Sequence, residues 1–163
     1  MKTMIGDMWD ITANWRCIPT NGTLKRDGSL VMGAGVAQRA LSRYRGLDIG
    51  LGRYIKKYGN RPFMIRAFGV ISFPTKDHWK DPSTIAIIEN SAKLLVELVS
   101  HHAMTGIVLP KVGCGLGGLD WSDVEPVLSE ILDDRFTVVE KTPRQPSLDY
   151  DADFYNYAED LQE

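Results

Sequence analysis

Cysteine and histidine are both scarce in this sequence of 163 residues. Two cysteines, Cys17 and Cys114, are too few for a disulfide framework. The three histidines show no metal-ligand spacing, since two of them, His101 and His102, are adjacent. We therefore expect reduced thiols and no bound metal.

Long apolar segments are also missing. No run approaches the roughly 20 apolar residues that a membrane-spanning helix requires, and the segment 1–7 lacks the hydrophobic region of a signal peptide. The sequence therefore predicts a cytoplasmic protein without membrane association. Its length suits one domain, and its 44% apolar and 25% charged residues are typical of globular proteins.

Neither sign of charge dominates the body of the chain. The formal net charge is −2, but six acidic residues and a single base, Arg144, lie between residues 142 and 163. Residues 1–141 therefore carry 18 basic and 15 acidic side chains, an excess that suits an anionic ligand but does not alone indicate nucleic acid. We predict a domain over 1–141 and an acidic tail over 142–163, whose four aromatic residues leave two alternatives: a flexible tail or a docked one.

Glycine, in contrast, is concentrated in the segment 110–121. Four of the six positions from Gly113 to Gly118 are glycine, an apolar run at 106–109 precedes them, and a helical pattern follows. A strand, a glycine-rich loop and a helix N-terminus in this order let backbone N–H groups converge on an anion. The segment predicts a phosphate-binding loop. A tight turn without a ligand is the alternative, although such a turn needs only one or two residues with positive φ.

A second glycine-rich segment, Gly33-Ala-Gly35, opens a predicted helix. Helices are predicted over 33–44 and 48–58. A third helix is predicted to begin with an N-cap and a first-turn proline at Asp81-Pro82 and to have an apolar face that ends at Val99. A fourth is predicted from a capping box at Ser122–Glu125, which places Pro126 in the first turn. Strands are predicted over 2–5, 15–18 (stopped by Pro19), 63–68, 70–73, 106–109 and 136–139.

This alternation of strands and helices predicts an α/β fold. We expect a three-layer α/β/α sandwich with a central mixed, mostly parallel sheet. Ligands of such folds bind beyond the carboxyl ends of the strands, and both glycine-rich segments are expected at that edge.

Several short segments together resemble the macrodomain family. They are Gly6-Asp7, 18–22 (Ile-Pro-Thr-Asn-Gly), 33–35, 74–76 and 110–121. The most specific motifs are Phe-Pro-Thr-Lys-Asp-His-Trp and Leu-Pro-Lys-Val-Gly-Cys-Gly-Leu-Gly-Gly-Leu-Asp-Trp, and the resemblance extends over about residues 1–141. It is greatest to the branch that contains the terminal ADP-ribose protein glycohydrolase and the antitoxin macrodomain that reverses DNA ADP-ribosylation.

The resemblance implies a cleft for ADP-ribose. Asp7 would accept a hydrogen bond from the adenine amine, and the Met8 amide would meet the ring, although Asp7 also suits a solvated turn. Asn21 matches an asparagine that reaches the distal ribose, although Asn-Gly is also a common turn pair. Two backbone segments would close over the diphosphate and the distal ribose from opposite sides. These segments comprise Gly33, Ala34, Gly35 and Val36, and Gly113, Cys114, Gly115, Leu116 and Gly117.

Lys76 is the principal catalytic residue that the resemblance implies, with Asn21 beside it. In the related glycohydrolases the lysine at this place attacks the anomeric carbon of the distal ribose and forms a covalent intermediate. That chemistry needs a partly neutral amine, so we expect burial beside Phe73 and Trp79 to lower the pKa of Lys76. Without the motif, a solvated lysine is the ordinary interpretation.

One position departs from the protein-directed glycohydrolase, which carries an aspartate where this chain has Gly117. The glycine form resembles the DNA-directed antitoxin side of the branch, and Asp120 is expected to help cap the last helix instead of replacing that carboxylate. Cys114 is expected to fit the turn and not to act as a nucleophile, because no histidine partner can be named. Basic and aromatic residues expected at the mouth of the cleft suit a phosphate backbone and a stacked base: Lys25, Arg26, His78, Trp79 and Lys80.

These expectations combine into an ADP-ribosyl hydrolase that needs no cofactor. Its substrate would be ADP-ribosylated DNA in preference to protein, cleaved with Lys76. The alternatives are a module that binds ADP-ribose or a related nucleotide signal without cleaving it, and a phosphatase of ADP-ribose phosphorylated on the distal ribose, for which Lys76 is dispensable.

Overall fold

The computed structural model describes residues 1–143, so the predicted acidic tail lies outside the described residues except for its first two positions. Within these residues, six strands form one sheet: β1 (Lys2–Ile5), β2 (Trp15–Thr20), β3 (Met64–Ile65), β4 (Val70–Pro74), β5 (Ile107–Pro110) and β6 (Phe136–Glu140). Four helices accompany them: α1 (Gly35–Arg43), α2 (Leu47–Tyr58), α3 (Ile85–His101) and α4 (Trp121–Ile131). In this part of the chain, none of the helices has the length and apolar character needed to cross a bilayer.

The sheet is mixed and mostly parallel, as predicted. Its strand order is β1-β6-β5-β2-β4-β3, and every neighbouring pair is parallel except β3 and β4, which are antiparallel. The carboxyl ends of five strands therefore meet at one edge. The segments that follow these strands are brought together there, although they are far apart in the sequence.

Alternating residues of the strands fill two cores. In β5, Ile107 and Leu109 pack on the face covered by α3 and α4, whereas Val108 packs on the face covered by α1 and α2. The apolar face predicted for α3 is confirmed, because Ile88 and Leu95 in it are fully buried. Helices on both faces of the sheet confirm the three-layer sandwich.

The helix start predicted at Asp81-Pro82 is wrong. α3 begins after Thr84, whose Oγ1 accepts a hydrogen bond from the Ile87 amide at 3.2 Å. Asp81-Pro82 belongs to the preceding loop, since the next amide, that of Ser83, donates to the Gly117 carbonyl at 3.0 Å instead of facing a helical turn. The contact with a distant loop thus decides where the helix starts.

The capping box predicted at Ser122–Glu125 is also wrong. The N-cap of α4 is Asp120, two residues before Ser122, and no side chain caps the helix by a hydrogen bond. The expected capping role of the Asp120 carboxylate is therefore not present. Pro126 lies inside the helix beyond the first turn, and because both it and Ser122 are exposed, water can reach the carbonyl that Pro126 leaves without a helical donor.

Pro19 does not stop β2, contrary to the prediction. β2 continues to Thr20, and Pro19 is paired with Phe73 of β4. On the other side, β5 pairs only with Trp15 and Arg16. On the side of β2 that faces β5, no strand residue is paired with Pro19. The missing N–H of Pro19 therefore leaves no carbonyl of β5 without a donor.

The strands predicted over 63–68 and 70–73 form an antiparallel hairpin around Gly69, but its first strand is short. β3 comprises only Met64 and Ile65, and Arg66–Phe68 then form a single 3-10 turn. Gly69 has a φ of 62°, in the left-handed region that favours glycine, and connects this turn to β4.

Gly52 lets α2 approach the loop that follows β2. A Cβ built on Gly52 would lie 2.1 Å from the carbonyl oxygen of Gly28, whereas a Cβ on Gly50 would meet only the Ile65 side chain, at 3.8 Å. Both glycines weaken the intrinsic preference of α2 for the helix. Only Gly52 is required by packing.

We predict opposite effects on stability for the two glycines of α2. Gly52→Ala is expected to lower the free energy of unfolding by about 1 to 3 kcal/mol, because the methyl group displaces the Gly28 backbone. Gly50→Ala, the matched control, is expected to raise it by about 0.5 to 1 kcal/mol through helix propensity. Urea denaturation measures both, and a Gly52→Ala protein as stable as the wild type would contradict the packing described.

Candidate functional site

The segments after β2 and β4 are joined at the carboxyl edge of the sheet. The Thr75 amide donates to the carbonyl of Thr20 at 3.0 Å, which continues the pairing of the two strands by one residue. The Gly22 amide then donates to the carbonyl of Asp77 at 2.7 Å. These bonds place the predicted ribose-contacting residue Asn21 and the predicted nucleophile Lys76 in adjoining loops.

The two glycine-rich segments lie in contact across this edge. A methyl carbon of Leu116 is 3.5 Å from the position of a Cβ on Gly35, and Leu116 is 77% exposed. Gly33, Ala34 and Gly115 are exposed beside this contact. The structure thus brings together the two segments that the sequence predicted to face each other.

Gly117, in the glycine-rich segment after β5, has no room for a side chain. A Cβ at this position would be 2.3 Å from the Ser83 hydroxyl oxygen and 2.5 Å from the carbonyl oxygen of Gly113. Gly113 itself has a φ of 76°, in the left-handed region. An aspartate at position 117 is therefore incompatible with the backbone of this loop as it stands, and the missing carboxylate is a consequence of the packing.

The carboxylate of Asp7 is held on both oxygens. Its Oδ1 accepts a hydrogen bond from the Trp9 amide at 2.9 Å, and its Oδ2 pairs with Arg39 Nη2 at 3.2 Å. The hydrogen bond from the Trp9 amide, and in addition the Arg39 guanidinium, hold the pKa of Asp7 below its ordinary value, although burial acts in the opposite direction. The guanidinium groups of Arg39 and Arg43 lie 5.7 and 4.8 Å from the centre of the Trp9 ring. Met8, the residue between Asp7 and Trp9, is buried.

Lys76 is half-buried at the start of the loop after β4. Its ammonium nitrogen donates to the carbonyls of Asp81 at 3.1 Å and Trp79 at 3.4 Å. Its own carbonyl accepts a hydrogen bond from Asn60 Nδ2 at 3.0 Å. The side chain is therefore held by its own loop and is not extended into solvent.

The side chain of Asn21 is buried and partly committed to the protein. Its Nδ2 donates to the Val31 carbonyl at 2.9 Å, and its Oδ1 accepts from the Thr23 amide at 2.8 Å. An amide group has two N–H donors and two lone pairs on its oxygen, so each end of Asn21 can form one further hydrogen bond. The bond to Val31 also fixes the start of the segment that continues into Gly33.

Cys114 has the properties of a small turn residue and not of a nucleophile. Burial raises the pKa of its thiol, although the nearby Lys111 acts in the opposite direction. The thiol donates to the Val112 carbonyl at 3.4 Å. Cys17 is fully buried in the core, where burial also raises its pKa. Among residues 1–143, no three His, Cys, Asp or Glu side chains lie close enough to hold a metal ion.

The residues predicted at the mouth of the cleft lie in two connected loops. Lys25, Arg26, His78, Trp79 and Lys80 are all exposed. The Trp79 amide donates to Thr23 Oγ1 at 3.0 Å, which joins the loop after β4 to the loop after β2.

Three residues of this edge were not predicted as site residues. Asn60, which the sequence suggested only as the end of α2, follows the C-cap Gly59 and donates to the loop of Lys76. Ser83 supports Gly117, and Arg39 pairs with Asp7. No local pattern indicates these contacts, because each joins segments more than 15 residues apart. The Asn60 Oδ1 and Ser83 Oγ atoms are buried without a hydrogen-bond partner in the described residues.

The fold is an α/β domain with two glycine-rich segments in contact at the carboxyl edge of its sheet. The Macro domain family model matches residues 38–128, more than half of the chain. The chain belongs to the Macro domain family.

Solved structures and a curated relative agree with this assignment. The macrodomain of Mycobacterium tuberculosis DarG is similar to the chain with a TM-score of 0.71 and 27% identity, covering 87% of this chain and 99% of that one. Thermosipho africanus DarTG in complex with ADP-ribose gives a TM-score of 0.72 and 25% identity, covering 91% of this chain and 44% of that one. A DNA ADP-ribosyl transferase-DNA ADP-ribosyl glycohydrolase fusion protein of Thermosipho africanus (strain H17ap60334) is 43% identical over 60 residues. That match covers 37% of this chain and only 16% of the relative.

We predict that two glycines of the glycine-rich segment after β5 differ in their tolerance of a methyl group. Gly117→Ala is expected to destabilise the protein by about 1 to 3 kcal/mol and to displace the loop, because the new Cβ meets backbone. Gly115→Ala is expected to leave stability within about 0.5 kcal/mol, since a Cβ there has no neighbour within 4 Å. Thermal unfolding of both variants measures the difference, and equal stability of the two would contradict the described loop.

We predict that Asp7→Asn weakens ADP-ribose binding by about tenfold, since a hydrogen bond to a charged acceptor contributes about 1.5 to 3 kcal/mol. The pKa of Asp7 lies below its ordinary value of 3.8, so in the wild type the carboxylate's contribution persists above that value and disappears only as the pH falls through the lowered pKa. Isothermal titration across pH measures this. The lowered pKa would be contradicted by two results together: the wild-type affinity already decreases between neutral pH and the ordinary carboxyl range, and this decrease is absent in Asp7→Asn.

Proposed function

We propose that this macrodomain is an ADP-ribosyl glycohydrolase, which binds the ADP-ribose group of a modified macromolecule and cleaves its glycosidic bond with Lys76. DNA is the preferred substrate over protein. The observation that carries the proposal is the meeting of the Lys76 loop and both glycine-rich segments at one edge of the sheet. The names of the relatives, which include a DNA ADP-ribosyl glycohydrolase, support the same reaction.

ADP-ribose binding uses backbone amides more than charges. The pyrophosphate lies between the segments Gly33–Val36 and Gly113–Gly117, whose N–H groups donate to phosphate oxygens. The adenine amine donates to Asp7, which Trp9 and Arg39 hold in position. The distal ribose lies at Asn21, whose amide retains one free donor and one free acceptor position for a sugar hydroxyl.

Catalysis starts with the neutral amine of Lys76. A neutral primary amine has two N–H groups and one lone pair, and the carbonyls of Trp79 and Asp81 accept the two N–H groups. The lone pair attacks the anomeric carbon, so a C–N bond forms while the bond to the modified group breaks. The leaving group departs with the electron pair and takes up a proton, and water later cleaves the bond to Lys76 and releases ADP-ribose.

The mechanism does not use a carboxylate at position 117. The contact of Ser83 and Gly113 with Gly117 leaves no space for one. This agrees with a substrate whose leaving group needs little help from a general acid or base. A DNA base that can stabilise the departing electron pair is such a group. Since a protein carboxylate is one too, the preference for DNA rests on the names of the relatives.

We predict that Lys76→Ala abolishes turnover but not binding. The rate on ADP-ribosylated thymidine is expected to decrease by at least about a thousandfold, as when a covalent nucleophile is removed. ADP-ribose affinity is expected to stay within about threefold, because the amine acts on the reacting carbon and adds little ground-state binding. Product release measured by mass spectrometry and isothermal titration test the two parts.

Lys93→Ala is the matched control. Lys93 is an exposed lysine of α3 that pairs with Glu89 at 2.8 Å, and its removal should change neither quantity. ADP-ribose binding without turnover by the wild type would instead indicate a binding module. Release of phosphate from ADP-ribose-1''-phosphate that survives Lys76→Ala would indicate the phosphatase, and a wild type that binds no ADP-ribose would overturn the proposal entirely.

A further inference from the structure

Trp79 exposes a large aromatic ring beside the candidate active site. The residue is 47% exposed, and it lies three positions after Lys76 in the loop that follows β4. Lys80 Nζ is 5.2 Å from the centre of the Trp79 ring, and the His78 ring centre is 6.2 Å away. An exposed aromatic face flanked by a cation is suited to stacking on a nucleobase.

The backbone of Trp79 is fixed although its side chain is exposed. Its amide donates to Thr23 Oγ1 at 3.0 Å, and its carbonyl accepts the weaker of the two hydrogen bonds from Lys76 Nζ, at 3.4 Å. The ring therefore has a defined place relative to the amine of Lys76. A base stacked on Trp79 would lie next to the modified nucleotide and outside the ADP-ribose cleft.

Cationic side chains continue from Trp79 along α2. The turn that carries Lys25 and Arg26 packs on Gly52, as its contact with Gly28 shows. Lys56 follows Gly52 by one helical turn and is exposed. One further turn along, Asn60 contacts the carbonyl of Lys76. Lys56 therefore lies between the Lys25–Arg26 turn and the loop of Trp79.

Two aspartates of the same loops are engaged in internal hydrogen bonds. Asp27 accepts from the amide and the hydroxyl of Ser29, at 3.0 and 2.6 Å. Asp77 accepts from Asn60 Nδ2 at 3.0 Å, while the Asp81 side chain is exposed. The side chains of Lys25, Arg26, Lys56 and Lys80 are all exposed, so they remain available to the phosphates of a DNA backbone.

We propose that this surface binds the single-stranded DNA that flanks the modified nucleotide. Trp79 stacks on the adjacent base, and Lys25, Arg26 and Lys56 contact the backbone phosphates. The strand must be single, because a base in a duplex has both faces covered by its neighbours and cannot stack on a side chain. This inference rests on the proposed function, and it adds a binding surface that ADP-ribose itself does not touch.

The test compares two substrates that differ only in the flanking strand. One is ADP-ribosylated thymidine, and the other is a short single-stranded oligonucleotide that contains the same ADP-ribosylated thymidine. We predict that Trp79→Ala lowers kcat/KM for the oligonucleotide about tenfold more than it lowers that for the nucleoside, because the variant loses the stacking ring but keeps the backbone carbonyl that holds Lys76. Trp79→Phe, which keeps an aromatic face, is expected to restore most of the oligonucleotide rate.

Tyr58→Ala is the matched control. Tyr58 is 55% exposed, and Lys57 lies 5.2 Å from its ring centre, so it reproduces the aromatic ring and cation of Trp79 on another part of the surface. Its substitution should leave both substrates unaffected. A double variant, Lys25→Ala with Arg26→Ala, should weaken oligonucleotide binding and reduce the slope of log K against log salt by about 0.7 for each lost phosphate contact.

The possible results separate this inference from the proposed function. Equal loss on nucleoside and oligonucleotide would place Trp79 inside the ADP-ribose cleft and overturn the inference. The inference would also be overturned if Trp79→Ala slowed the hydrolysis of an ADP-ribosylated peptide as much as that of the oligonucleotide. If the wild type hydrolyses no substrate, the proposed function fails, and the surface is judged by anisotropy with labelled unmodified oligothymidylate: weaker binding by Trp79→Ala supports it, and unchanged or absent binding overturns it.

Discussion

The parallel arrangement of five strands is the constraint on which the site depends. Parallel strands all point their carboxyl ends to one edge, so the segments after β1, β2, β4, β5 and β6 are collected there whatever their distance in the sequence. The two cores hold this arrangement by burying alternate residues of each strand on opposite faces. A shift of one strand by a single residue would exchange its two faces, so the packing that stabilises the sheet also fixes where each loop begins.

The loops at this edge are connected to one another by hydrogen bonds. Ser83 connects the loop after β4 to Gly117, and Thr23 connects the loop after β2 to Trp79. Asn60, at the end of α2, binds the carbonyl of Lys76. These bonds join four separate segments into one unit, which limits how far the glycine-rich segment and the lysine can move apart before a ligand arrives.

Most of the fold could be predicted from the sequence, and the site contacts could only be predicted in part. Periodicity gave the buried face of α3 because that face depends on local spacing, and the strand and glycine positions followed from equally local signals. The start of α3 could not be predicted, since the Ser83 amide is taken by Gly117 before the helix begins. Arg39 was not predicted beside Asp7 for a similar reason, because the pair is 32 residues apart and Arg39 lies on the solvent side of α1.

Lys76 and Trp79 lie in the same loop, and this connects binding of a DNA strand to the chemistry. The two carbonyls that hold the Lys76 amine belong to Trp79 and Asp81, in the loop that presents the exposed ring. Two acceptors match the two N–H groups of the neutral amine, so its lone pair stays free for the anomeric carbon. The Trp79 amide is in turn held by Thr23, so the same short loop fixes the amine and the backbone that carries the ring. A base stacked on that ring would therefore bind beside a nucleophile that the loop already holds in place, and no rearrangement of Lys76 would be needed before the attack.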